Sequence, residues 1–183
     1  MKKVYLMLTK SSTPISLVIN LFTRDRYTHS SCSLQPDLKP IYSIGRRFTF
    51  LPWPAGFKTE PLDRAFWFYH RHARVGVYSL ELSDQGYEKM KEYIARQEVL
   101  KPTFSYMGIV NCAFHKARHY QNKMFCSQFV AEALKASGEV EISKDTSLFH
   151  PIDIMNLANT KEVFSGRIWQ LNEFINQQNG HFE

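Results

Sequence analysis

Met124-Phe125-Cys126-Ser127-Gln128-Phe129-Val130-Ala131-Glu132-Ala133-Leu134 is the stretch from which the fold and the chemistry of this chain are read. Apolar Phe125, Phe129, Val130, Ala133 and Leu134 recur at the spacing of one helix face. Gly138 supplies the positive-φ stop expected just past a helix end. Cys126 therefore falls in the first turn of a buried helix, where unpaired N–H groups and the positive end of the dipole favour an anion. A thiol placed there is drawn toward thiolate, its reactive form. The same N–H groups can stabilise an oxyanion on an acyl group under attack. The competing reading is the ordinary one for a free cysteine, a small inert core residue. What separates the two is whether the chain also supplies a base, which can lie far away in sequence.

Working outward, Val4–Leu8 reads as a buried strand, and Ser11-Ser12-Thr13-Pro14 as the start of a helix reaching about Phe22. Tyr27–Leu34 is a strand of small and β-compatible residues. Gln35–Pro40 is a turn, and Ile41–Gly45 the returning strand. Arg46-Arg47 and the aromatic, proline-rich Phe48–Phe57 read as a long connection, with further aromatics at Phe66, Trp67, Phe68 and Tyr69. Val75–Leu82 alternates as a strand, and Ser83 caps a helix running to about Leu100 on the repeat of Tyr87, Met90, Tyr93, Ile94 and Gln97. Phe104–Phe114 is a second apolar segment. Pro151 opens a short helix, Val163–Trp169 suggests a late strand, and the polar tail from Asn176 is expected to fray. The expectation is a single α+β domain over residues 1–183, an antiparallel sheet flanked by helices.

Composition bounds the rest. A chain of 183 residues fits one domain with a sizeable core, and 44% hydrophobic residues exclude a disordered chain. The net charge of +6 favours anionic partners, yet no nucleic-acid module is recognisable, so no nucleic acid is expected. Cys32, Cys112 and Cys126 read as free thiols. The apolar run at the N-terminus stops at Thr9-Lys10, too short for a signal core, and no run approaches a membrane span. These features point to a cytoplasmic protein with no transmembrane segment.

Seven histidines compete for the role of base. His29 stands on a strand among small residues that leave room for a cleft. His70, His72 and His181 read as exposed, and His150 as an exposed turn residue before Pro151. His115 and His119 lie four apart, so on a helix they would share a face and could join Cys126 in a partial zinc site. No Cys-x-x-Cys partner or third ligand at customary spacing is present, so neither metal nor cofactor is expected.

Two pieces together resemble the circularly permuted NlpC-type papain-like cysteine hydrolases, including their lecithin-retinol-acyltransferase-like relatives. One is Tyr27-Thr28-His29 opening a strand, with Ile41-Tyr42-Ser43-Ile44-Gly45-Arg46 as its hairpin partner. The other is Phe125-Cys126-Ser127-Gln128-Phe129-Val130 opening a helix. In the permuted group the histidine strand precedes the cysteine helix, as it does here. The resemblance spans roughly residues 3 to 160 and implies a permuted papain-like fold, with Cys126 as nucleophile and His29 as the base that later returns its proton. It also implies a third polar residue on the strand after the histidine. That strand holds Tyr42 and Ser43, where a His, Asn or carboxylate is more usual, and Gln128 stands where an acidic residue is more usual.

Three functional classes follow. The first is a thiol hydrolase acting through an acyl-cysteine on a small peptide, such as a cell-wall fragment, or on a lipid by acyltransferase or lipase chemistry. The second is a non-catalytic binding module on the same fold, and the third, resting on charge alone, a nucleic-acid binder. The first is the expectation.

Overall fold

The computed structural model describes residues 1–10, 26–46, 54–60 and 68–179. Its sheet is organised around the most continuously apolar strand of the chain. Val4, Leu6, Met7 and Leu8 of β1 (Lys2–Thr9) are all buried, as alternate side chains of a strand covered on both faces must be. β1 pairs antiparallel with β2 (His29–Ser33) on one side and with β5 (Arg74–Leu82) on the other. Outward from β2 come β3 (Ile41–Arg46), β4 (Ala55–Glu60), β6 (Thr103–Phe104) and β7 (Lys123–Met124), and β8 (Lys161–Arg167) closes the far edge beyond β5. Every pairing is antiparallel except β6 with β7, so the eight-stranded sheet is mixed and not purely antiparallel as expected. The cause is local. β6 and β7 are joined through an intervening helix, the crossover that a parallel pair requires.

Among the described residues four α-helices accompany the sheet: α1 (Asp84–Leu100), α2 (Tyr106–Ala113), α3 (Cys126–Ala136) and α4 (Ile168–Asn179). Ser83 caps α1 by accepting the Gly86 N–H at 3.0 Å, and Lys101, at φ 47°, ends it. α3 stops where expected, at Gly138 with φ 77°. Even-numbered β1 side chains Val4, Leu6 and Leu8 share one core with Cys32, Ile44, Phe57 and the α3 residues Phe129, Val130 and Leu134. Phe57 meets Phe129 edge to face at 5.6 Å. On the opposite face Met7, Ile41, Val75 and Val77 pack against Ile168, Leu171 and Ile175 of α4.

Three sequence expectations change. Ala55–Phe57 is not connection but the first half of β4, fixed by six successive pairings with β3. Trp169 belongs to α4, since β8 ends at Arg167. Asn176–Asn179 is helical, held by the burial of Ile175. The expected helix from Pro14 to Phe22, and most of the aromatic stretch before Ala55, lie outside the described residues. The short helix at Pro151 is present as a 3-10 turn over Pro151–Asn156. No described helix is long and apolar enough to cross a membrane.

Candidate active site

Cys126 is the first residue of α3. Phe125, in the extended conformation (φ −112°, ψ 172°), is the last non-helical residue before the helix starts. Phe125 is buried against Gly108, where an added Cβ would stand 3.1 Å from its ring, so the close approach of α2 fixes the entry to α3. The first turn of α3 has no side-chain cap, which leaves its N–H groups to whatever lies before it.

His29 opens β2, directly opposite Thr9 of β1. Its Nε2 lies 2.9 Å from Glu60 Oε1 and 3.0 Å from Ser43 Oγ. Lys58 Nζ reaches the same Glu60 oxygen at 3.3 Å. The His29 ring also hydrogen-bonds the Cys126 thiol, which in addition meets the backbone N–H groups of Ser30 and Ser127. With Nε2 engaged by an acceptor carboxylate, the ring carries a proton there and donates it to Glu60. Gly45 makes room for this arrangement: a Cβ on it would sit 3.3 Å from Lys58 Cε and 3.5 Å from His29 Cε1.

The electrostatics follow from these contacts. Burial penalises a charged imidazole, but the Glu60 carboxylate and the Cys126 thiolate outweigh it and raise His29 from 6.5 to about 10. For Cys126, burial again opposes charge, yet the charge and hydrogen bond of His29, with the two backbone N–H groups, bring the thiol below its ordinary 9.0. Glu60 is buried too, and the cations of Lys58 and His29 hold its carboxyl well below the usual carboxylate range. The His29 side chain keeps 21% of its exposure and Glu60 only 7%, so the charge pair is sheltered but open at one end. Cys32 is the contrast: burial with no compensating cation pushes its thiol up to about 12.

The structure therefore brings together both residues singled out from sequence, His29 and Cys126. Of the two candidates for a third residue, Ser43 joins them. Tyr42 does not: it points to the other face and stacks on Phe57 at 6.3 Å. Glu60 was missed. Its signal was the alternation Gly56, Lys58, Glu60, which puts both charged side chains on one face once β4 is recognised as a strand.

The remaining histidines lie elsewhere. His115, at φ 55°, and His119 both fall outside helices, so the shared face expected for them does not exist. His119 Nε2 donates to Asp145 Oδ1 at 2.9 Å, and Gln128 Nε2 donates to His119 Nδ1 at 3.2 Å. His70 is half-buried and His72 exposed, while His181 lies outside the described residues. His150 is half-buried, not exposed, because its Nε2 packs 3.5 Å from Cys112 Sγ. Among the described residues no group of three or more His, Cys, Asp or Glu side chains could hold a metal ion.

No protein-family model matches the chain, and no curated protein matches it.

Proposed function

We propose that the chain is a thiol-dependent acyl hydrolase with a permuted papain-like arrangement, in which Cys126 is the nucleophile, His29 the base and acid, and Glu60 the group that orients His29. The observation that carries this reading is the His29 ring held at 2.9 Å by the Glu60 carboxylate while it hydrogen-bonds the Cys126 thiol. The histidine strand preceding the cysteine helix supports the permuted order.

The steps follow from the contacts. The Cys126 thiol gives its proton to the His29 ring, and the sulfur attacks the acyl carbon. The oxyanion is met by N–H groups of the first turn of α3. Collapse breaks the bond to the leaving amine or alcohol, which takes the proton from His29. Water then attacks the acyl-cysteine, His29 accepts its proton, and the acid departs with the thiol restored. No cofactor enters. Three free cysteines suit a reducing, cytoplasmic setting.

A peptide amide is the leading substrate class by resemblance to the cell-wall hydrolases. A lipid ester is the second, favoured by the exposed Met107, Val110 and Phe114 on and beside α2. Trapping distinguishes chemistry from binding. Activated-ester and amide probes followed by intact-mass analysis are expected to give one acyl adduct on the wild type, none on Cys126→Ala, and far less on His29→Ala. Equal alkylation of Cys126 in the wild type and in His29→Ala, with no adduct from any probe, would leave the fold as a binding module.

A further inference from the structure

α2 is built inside out. Its buried residues are Gly108 and Cys112, whereas Tyr106, Met107 and Val110 are 37%, 58% and 44% exposed, and Phe114 just beyond is 61% exposed. At about 100° per residue, Tyr106, Met107 and Val110 fall within an arc of about 100°, so they form one ridge and not a scatter. A globular helix turns its large apolar side chains inward. This one turns them to solvent, beside the entry to α3, with Ser105 N–H bonded to the Met124 carbonyl at 3.0 Å. The charge of the surrounding chain is one-sided. From Lys101 to Ala131 there are four Lys and Arg residues (Lys101, Lys116, Arg118, Lys123) and no Asp or Glu. All four are exposed. Asp145 reaches this segment from outside, and it is engaged by His119 at 2.9 Å.

We propose that the α2 ridge and its basic flanks dock the protein on an anionic lipid surface. The apolar stripe enters the headgroup boundary while Lys116, Arg118 and Lys123 meet the lipid charges, the combination that gives an interfacial helix its affinity and its preference for anionic lipid. A protein partner would need shape and hydrogen-bond complementarity. Along the ridge stand large exposed apolar side chains, and the chain that leads away from it carries exposed cations with no acidic residue up to Ala131. The docking claim stands on these exposed side chains. Only its extension, that the surface presents a lipid acyl group to Cys126, rests on the hydrolase reading.

The test uses full-length Cys126→Ala, which removes turnover from the measurement. It is sedimented with vesicles of phosphatidylcholine alone or of phosphatidylcholine with phosphatidylglycerol. Partition into the anionic vesicles is expected, falling as salt is raised. Met107→Gln with Val110→Gln is expected to lower the partition coefficient at least about tenfold, as the buried apolar area shrinks. Lys116→Glu with Arg118→Glu is expected to abolish the preference for anionic vesicles. Trp169→Gln on α4, where the tryptophan is 43% exposed, is expected to change nothing. Should the glutamines disturb folding, the charge-reversal pair decides the matter alone. The proposal is overturned by absence of partition or by partition that both α2-region variants leave intact. A dimer in solution that the glutamine variant dissociates also overturns it, because the ridge would then be covered by a second copy. Since sedimentation needs no chemistry, failure here and failure of acyl trapping are separate results.

Discussion

Replacing Glu60 by Gln keeps the size and one hydrogen-bond acceptor of the side chain but removes the charge that His29 and Lys58 share. At a charge separation near 4 Å and an effective dielectric of about 20, a unit charge pair is worth about 4 kcal/mol. At 1.36 kcal/mol per pK unit, that is about 3 units on the His29 equilibrium. Lys58 adds to the effect, since its ammonium, 3.3 Å from the same carboxyl oxygen, would face the imidazole uncompensated. The open end of the site screens part of this, as 21% of the His29 side chain is exposed. We therefore expect His29 to fall by at least about 2 units, on the same Coulomb scale. The Cys126 thiol should rise with it, because the imidazolium that lowers it is lost. The assay is the rate of iodoacetamide alkylation against pH, with Cys126 identified by peptide mapping and thiolate absorbance followed in parallel. The wild-type profile should have its midpoint below 9.0, and the Glu60→Gln midpoint should move toward alkaline pH. Superimposable profiles would refute both the orienting role of Glu60 and the charge arithmetic.

The other predictions concern selectivity and stability. Iodoacetamide at neutral pH should modify Cys126 well before Cys32, whose buried thiol is pushed up to about 12; peptide mapping showing equal rates would contradict the assigned environments. Because Glu60 is depressed, its stabilising effect is present above its ordinary 4.5 and is lost as pH falls through the folded value, so the melting temperature should drop on acidification more steeply in the wild type than in Glu60→Gln. Because His29 is raised, its stabilising effect is present below 6.5 and is lost as pH rises through about 10, and His29→Gln should flatten that alkaline limb of the melting curve. Gly56→Ala would place a Cβ 2.7 Å from the Pro102 carbonyl oxygen, which accepts the Phe57 N–H at 2.8 Å. The backbone must shift, and denaturant titration should show a loss of about 1–3 kcal/mol; no measurable loss would mean that β4 and β6 are not pinned there.

The parts of the fold written in hydrophobic period were legible. β1, the hairpin of β2 and β3, the Ser83 cap and the Gly138 stop all follow from spacing and from a few residues with special backbone roles. So did the meeting of His29 and Cys126, since the first turn of a buried helix and a strand among small residues each define a place for chemistry. β4 escaped because its signal is weak. Gly56 has no side chain, Lys58 and Glu60 read as surface charges, and the aromatic, proline-rich run before Ala55 reads as connection. A buried carboxylate paired with a half-buried lysine and with a histidine two strands away looks, one strand at a time, like a solvated position. His115 and His119 failed in the opposite direction: a helix spacing was read across a segment that leaves the helix at Phe114.

The parallel ladder of β6 and β7 has a consequence for how this chain can change. Thr103 pairs with Lys123 and Phe104 with Met124, so the chain departs for α2 and comes back at the same spot. Residues 105–122 form a cassette with adjoining ends, inserted between the last turn of α1 and the first residue of α3. Residues 114–122, beyond α2, can be lengthened or shortened with the position of Cys126 still set by the ladder, by Gly108 against Phe125 and by the packing of α3 on the sheet. The ladder thus lets the outer loop of the cassette vary in length without moving the first turn of α3.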